Sequence, residues 1–598
     1  MKGIPHEDGA SRRRDALSAG AVAFQERRRV PRAMPAMECL ACIPGSEAPF
    51  AIVEDVSVRG LRLRAISPPR DLDLRVGEEL DLLIRWAGGA AGRRGKVVWV
   101  TSGSPGDSTV GLECAEPLEE LEIPTLLDMR RVRIDPLWAL RVPASLSIRR
   151  QVLPFSLVDG EVHVACADPG DTAALKAVER HVGRPLRALP AEPESLRRAL
   201  QRVYGDASSS ADPEDPSNLC HEFLHAAWLR EASDIHIDPD REGVRVRLRV
   251  DGLLEEYRRL PARAHLELVS RIKVLAGMDI AEKRAPQDGS FAHDFGPGQA
   301  LNIRVATLPT KYGERVTLRL LAIQMETLTL ENLGMSARDL RIYEQSIQRP
   351  HGLLLATGPT GCGKTTTLYA ALRRIIVHRS VNAITVQDPI EYDIPGVAQV
   401  EVDSAQKVTF AKALRSILRS DPDVLMIGEI RDHETVDIAL KAALTGHLVL
   451  ATLHTNTAVS AVTRLIDMGV ERYLISATLR LVVAQRLVRR LCPRCRRPSV
   501  LSASQARSLG RPAEEGSPCF EIRGCIYCAG RGYIGRVGLF ELVPLGEDWS
   551  RTIAGGIGEE GLAEMMRRQG MPTMLDDAIE KIEAGVTSLH EVLTAVST

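Results

Sequence analysis

The chain has 598 residues, 44% of them hydrophobic and 26% charged, and its formal net charge is -1. That length exceeds what one hydrophobic core supports, so several domains are expected. Balanced charge argues against stable nucleic-acid binding, no apolar run approaches the roughly 18 residues that span a bilayer, and residues 1–8 lack the apolar core of a signal peptide, so a cytoplasmic protein is expected.

Residues 1–23 are polar and rich in Arg, Ala and Ser, the composition of a disordered tail. Residues 24–116 alternate apolar and polar positions in short runs, such as 50–53, 80–84 and 96–100, a small all-β pattern. Arg28 and Arg32 fit R-x-x-x-R ahead of the first strand, and Asp55, Ser57 and Gly60 fit D-x-S-x-x-G after the next. Arginines at that spacing can grip guanine edges and phosphates, although an arginine run before a domain is also an ordinary solvated tail. The two motifs resemble those of a PilZ domain, the cyclic di-GMP receptor module. The resemblance implies a β-barrel holding that nucleotide through Arg28, Arg32, Asp55, Ser57 and Gly60, with Arg27 and Arg29 as weaker candidates.

Residues 121–204 mix helices and strands. Residues 205–218, with their Ser, Asp and Pro, read as a flexible linker, and 219–335 as a second α+β unit. From 336 to the end a nucleotide-binding α/β domain is expected. Gly352 to Thr357 reads as a short buried strand, and Thr365 to Val377 as a helix with Leu368, Leu372 and Ile375 on one stripe. Between them Gly358-Pro359-Thr360-Gly361-Cys362-Gly363-Lys364-Thr365 fits G-x-x-x-x-G-K-[ST] without mismatch. Strand, glycine loop and helix together make a phosphate cradle. Backbone N–H groups surround the phosphates of ATP, Lys364 reaches the β/γ-phosphates, Thr365 ligates Mg²⁺ and Thr366 extends the first turn. Cys362 in this loop is a candidate for thiol sensitivity.

Three later segments refine the site: Gln387-Asp388-Pro389-Ile390-Glu391, then Gly428-Glu429-Ile430-Arg431-Asp432 after an apolar strand, then Thr445-Gly446-His447, which opens a strand that ends at His454. Acids at strand ends sit where α/β sheets place catalytic groups, and either histidine can sense a γ-phosphate. These four boxes, in this order, resemble the Walker A, Asp, Walker B and His boxes of the secretion ATPases of type II secretion and type IV pilus assembly. Residues 232–239, 247–252 and 276–281 resemble that family's second N-terminal domain, and 121–204 its first, so the resemblance spans roughly 121–598.

The resemblance implies a multidomain α/β protein with a RecA-like P-loop core, working as a homo-hexameric motor. Glu391 would polarise the attacking water and Glu429 would hold the Mg²⁺-bound water shell. Arg249 and Arg304, and less directly Arg271 and Arg319, would bring positive charge to a neighbouring subunit's γ-phosphate. The first N-terminal domain would dock on an inner-membrane assembly platform or an adaptor, keeping membrane contact indirect. One departure stands out. Gln387 occupies a position where the family usually has Glu, and an amide cannot ionise.

Cys492, Cys495, Cys525 and Cys528 form C-x₂-C…C-x₂-C, the spacing of a tetrahedral Zn²⁺ site closed by four thiolates, so module 492–528 is expected to be structural. Cys519 and the pair Cys39 and Cys42 lack matching partners. Two other classes stay open at this point: a cyclic di-GMP-responsive scaffold that binds ATP without turnover, which Gln387 favours, and a DNA-translocating motor on a similar core.

Overall fold

The structure is a computed structural model. It describes residues 34–35, 40–42, 49–56, 60–65, 77–86, 89–101, 109–114, 125–205, 216–295, 300–320, 328–402 and 408–596. The chain forms two compact units, 1–208 and 209–598.

In the first unit, six strands close a barrel: β1 (Leu40–Cys42), β2 (Pro49–Val56), β3 (Gly60–Ala65), β4 (Glu79–Trp86), β5 (Gly89–Thr101) and β6 (Thr109–Cys114), in the order β1-β2-β3-β6-β5-β4. Alternation produces the core, since Leu61 and Leu63 on β3, and Leu82 and Ile84 on β4, all turn inward. Beyond it, β7 (Val152–Val158), β8 (Glu161–Cys166) and β9 (Leu186–Pro190) form a three-stranded sheet. It is covered by α1 (Thr172–Val182), while α2 (Pro193–Tyr204) closes the segment. Helix α2 ends at Tyr204.

The second unit opens on α3 (Pro216–Leu229), so the expected linker gives way to helix at Pro216, two residues before its sequence-based end. Strands β10 (Ala232–Pro239), β11 (Val244–Val250) and β12 (Leu253–Leu260), helix α4 (Arg263–Leu275), then β13 (Gln287–Asp294), β14 (Ala300–Thr310) and β15 (Gly313–Leu320) follow. They form one sheet in the order β12-β11-β10-β15-β14-β13. The core domain begins earlier than 336, because Leu328 and Leu330 already pack with Leu354 and Leu368.

The core sheet has seven strands. They are β16 (Gly352–Thr357), β17 (Ala383–Gln387), β18 (Ala398–Glu401), β19 (Val424–Ile427), β20 (Leu448–Leu453), β21 (Leu479–Leu491) and, past a short β22 (Arg497–Val500) and β23 (Pro518–Glu521), β24 (Tyr533–Pro544). The order is β18-β17-β19-β20-β16-β21-β24. The first six run parallel and β24 is antiparallel at the edge. Alternate residues of β16 feed opposite faces, Leu353 and Leu355 to one core, Leu354 and Ala356 to the other. Helices α5 (Ala337–Ile347) and α6 (Lys364–His378) cover the second face. Helices α8 (His433–Leu444) and α9 (Ala458–Asp467), with α7 (Phe410–Ile417) and α10 (Arg472–Thr478), cover the first. This is the multidomain α/β class expected from the sequence, with the glycine loop at the C-terminal end of a central parallel strand.

An edge strand presents unpaired backbone groups. On β24 these are met by α13 (Met574–Glu583), after α11 (Glu547–Ala554) and α12 (Glu559–Arg568), with α14 (Leu589–Val596) following. The Asp577 carboxylate accepts from the Phe540 N–H at 2.8 Å and from Lys581 Nζ, and Lys581 donates on to the Gly538 carbonyl at 2.8 Å. Both side chains are buried. Removing one member of a buried pair leaves an uncompensated charge, so Lys581→Met is expected to cost about 3–5 kcal/mol. Adding Asp577→Asn, whose carbonyl still accepts from Phe540, recovers part of that loss. Urea unfolding followed by tryptophan fluorescence measures both steps. A loss under about 1 kcal/mol for Lys581→Met would mean that water reaches the pair.

Candidate functional site

The glycine loop is held at its two ends by contacts that leave no space for side chains. Gly358, Gly361 and Gly363 have φ of 147°, 77° and 89°, a region L-residues avoid. A Cβ on Gly358 would collide with the Gln485 carbonyl oxygen and Cys362 Sγ, and one on Gly363 would lie 2.8 Å from Gln485 Nε2. Pro359, Thr360 and Gly361 form an exposed lip, whereas Lys364 is buried at the first turn of α6, with Thr365 and Thr366 half-buried beside it. Lys364 Nζ donates to the Gly358 and Pro359 carbonyls at 2.8 and 3.0 Å. Burial pushes its ammonium below the usual lysine value, with Glu429 opposing that shift. Cys362 is also buried, and burial raises its thiol, so the expected sensitivity to thiol reagents is not supported.

Glu429 follows the fully buried β19. Its Oε1 lies 2.9 Å from His454 Nε2 and its Oε2 2.8 Å from Arg431, which reaches Asp388 at 3.4 Å. Acid, histidine and P-loop lysine thus gather at the C-terminal ends of β19, β20 and β16. His447 does not join them within one chain. It precedes β20 at the level of Gly352, bonded through Nδ1 to the Ala442 carbonyl at 2.9 Å. The six residues of β20 separate it from His454, seven steps along the chain or roughly 23 Å at 3.3 Å each. The parallel register therefore selects His454 as the histidine of this site.

Glu391 is half-buried in the loop after β17. Arg304 on β14 donates to the Ile390 carbonyl, and Arg319 on β15 interacts with the Glu391 charge while bonding Asp234 Oδ1 at 3.0 Å. Arg249 lies 3.6 Å from Asp234 and donates to the Gly252 carbonyl at 2.9 Å. Arg271 lies on the exposed face of α4. Of the four arginines, Arg304 bonds the acidic loop of its own chain, Arg319 is bonded to Asp234 while feeling the Glu391 charge, and Arg249 is held at Asp234 and the Gly252 carbonyl.

Sequence reasoning missed the floor of the site. Thr367 Oγ1 donates to Gln485 Oε1 at 2.8 Å, and Arg486 donates to Asn456 Oδ1 at 2.9 Å. The available signal was a Gln-Arg pair interrupting the apolar run of β21.

The cysteine sulfurs of 492, 495, 525 and 528 all lie within 4.8 Å of one another, with separations of 3.8, 3.9 and 3.7 Å for three pairs. Four sulfurs at about 2.3 Å from a central ion define a tetrahedron with edges of about 3.8 Å, so the donor set fits Zn²⁺. The neighbouring thiols of Cys492 and Cys525 hold the Cys528 thiol below the usual range, and the N–H groups of Cys525 and Gly532, each 3.2 Å from its Sγ, add to that. Cys519 sits apart on β23. In the barrel, Asp55 lies in β2 and Gly60 opens β3. The side chain of Asp55, and Arg27, Arg28, Arg29, Arg32, Ser57 and Cys39, lie outside the described residues.

Gln387 is 2% exposed. Its Oε1 accepts from the Tyr369 hydroxyl and its Nε2 donates to Thr385 Oγ1 at 2.8 Å, so it serves the interior rather than the phosphates. A glutamate there would be kept protonated by burial and would reproduce much of the same bonding. Gln387→Glu is therefore expected to leave kcat within about threefold, under roughly 0.7 kcal/mol of barrier. Steady-state turnover checks this, and a gain beyond tenfold would place the position among the reacting groups.

Comparison with known proteins identifies the family. The family model described as type II/IV secretion system protein matches residues 211–594, the MshEN domain 121–210 and the PilZ domain 26–128. Type II secretion system protein E of Pseudomonas aeruginosa is 42% identical over 485 residues, covering 76% of this chain and 95% of that protein. Type II secretion system ATPase E of Vibrio cholerae is 45% identical over 388 residues, covering 65% and 76%. The type IV pilus assembly ATPase PilB of Thermus thermophilus is 39% identical over 486 residues, covering 77% and 54%. With the glycine loop, Lys364 and Glu429 assembled as described, the chain belongs to the type II/IV secretion system protein family, as an ATPase.

Proposed function

We propose that this chain is a homo-hexameric motor that powers assembly of a type II secretion pseudopilus or a type IV pilus, and that cyclic di-GMP regulates it through the N-terminal barrel. The observation that carries the reading is the convergence of Lys364, Glu429 and His454 at the ends of three adjacent parallel strands, with Glu391 on the neighbouring loop. Lys364 neutralises developing charge on the β/γ-phosphates. Thr365 and Glu429 hold Mg²⁺ and its water. Glu391 orients the attacking water, and His454, bonded to Glu429, is placed to report the γ-phosphate to the rest of the ring. Arg304 and Arg319 on β14 and β15 link the second N-terminal domain to the Glu391 loop, so rotation of that domain alters the environment of the hydrolytic acid. The cysteine module holds one Zn²⁺ with no open coordination position, which makes it structural.

No helix among the described residues is long and apolar enough to cross a membrane. We place the motor in the cytoplasm, at the inner membrane through an assembly platform or adaptor bound by residues 121–204.

Three outcomes are expected. Lys364→Ala lowers ATP turnover by about 10²–10³-fold, the scale for losing one charge-stabilising donor. Cyclic di-GMP changes the wild-type rate, and Arg32→Ala abolishes that response while keeping the basal rate. A rate indifferent to cyclic di-GMP would retain the motor and remove the regulation. Elemental analysis finds one zinc per chain, lost in Cys525→Ser together with part of the thermal stability. An unchanged metal content in that variant would assign the ion elsewhere.

A further inference from the structure

Gln485 and Arg486 are neighbours on β21, one residue past the paired Thr357 and Ala484, and they touch both loops that must grip the nucleotide. Gln485 is 2% exposed. Its carbonyl lies against Gly358, its amide nitrogen against Gly363, and its Oε1 accepts from Thr367 on the first turns of α6. The two glycines bounding the phosphate loop therefore rest on a single side chain and its carbonyl.

Arg486 turns toward the other loop. Arg486 is 8% exposed, and its guanidinium bonds to the Gln485 carbonyl at 3.3 Å and to Asn456 Oδ1 at 2.9 Å, both neutral oxygens. These two bonds fix the position of the guanidinium without cancelling its charge. Asn456 lies two residues past His454, and Thr455 N–H is bonded to Thr357 Oγ1 at 2.9 Å, so this loop is fixed from both sides. The Arg486 charge also acts on Lys364 and on the buried Glu541.

We propose that Gln485 and Arg486 are positioning residues for ATP hydrolysis: Gln485 sets the shape of the glycine loop, and Arg486 sets the distance of the His454 loop from Lys364. Because the two residues are consecutive on one strand, a shift in one loop is transmitted to the other through a rigid dipeptide. Gln485 governs nucleotide affinity, since the phosphate cradle is formed before chemistry. Arg486 governs the chemical step, since the His454–Glu429 contact bears on the γ-phosphate end.

The test uses the full-length protein, measuring equilibrium binding of a fluorescent ATP analogue, steady-state kinetics and melting temperature. Gln485→Leu and Thr367→Val are each expected to raise KM and Kd for ATP about tenfold, and the double variant to rise no further, because both remove the same bond. Thr367→Ser keeps the hydroxyl and stays within about twofold of the wild type. Arg486→Lys keeps the charge, loses the fork geometry, and lowers kcat about tenfold at saturating ATP with KM unchanged. Effects that multiply in the double variant, or affinity that survives Gln485→Leu, would overturn the role of Gln485. A kinetically silent Arg486→Lys would overturn that of Arg486.

Discussion

The approach of two glycines to one buried glutamine is the constraint from which the core domain follows. A Cβ on Gly358 would meet the Gln485 main-chain carbonyl and displace the loop or strand β21, while one on Gly363 would push aside the Gln485 side-chain amide. The loop cannot slide, and Lys364 begins α6 at a fixed point over the end of β16. β21 in turn is held between β16 and β24, and β24 is completed on its free side by Asp577 and Lys581 rather than by another strand. A polar pair at the rim of the domain thus supports the loop that holds the phosphates, through two strands and no flexible connection.

The site's electrostatics depend on the same geometry. Lys364 is buried on two carbonyls, a position that suits a cation only when anionic groups arrive. Glu429 stands opposite it, and one carboxylate oxygen faces His454 while the other faces Arg431. The carboxylate is therefore orientated before substrate binds. Preorganised charge of this kind avoids reorganisation during reaction, which is where much of enzymatic rate enhancement arises.

Legibility in the sequence followed separation along the chain. The glycine loop, the Asp388–Glu391 and Gly428–Asp432 segments and the paired cysteines were readable because their chemistry is local: a turn, a strand end, two thiolate knuckles. The alternation that closes the barrel was readable for the same reason. What failed was whatever the register decides. Nothing local separates His447 from His454, since each flanks the same strand, and only the pairing of Gly352 with Leu448 puts one at the wrong end. Gln387 looked like a lost acid because a motif does not reveal which face a strand residue takes, and it faces Tyr369. The Thr367–Gln485 bond spans 118 residues, beyond any periodicity.

The cysteine module belongs to this frame rather than hanging from it. β21 runs directly into Cys492, and β24 begins one residue after Gly532, whose N–H meets Cys528 and whose carbonyl accepts from Cys492 N–H at 2.8 Å. The register between the two strands shifts between Arg489 and Leu491, just before the knuckle. A one-residue slip of this ladder would turn every side chain to the other face. The four sulfurs at the far ends of both strands lie within 4.8 Å of one another, and the Zn²⁺ we propose there would tie the two ends together and oppose that slip. Gln485 then keeps its face toward the glycine loop, which is the condition on which the nucleotide site rests. A metal at these cysteines would therefore bear on the nucleotide site through the register of β21 and β24 rather than through contact with substrate.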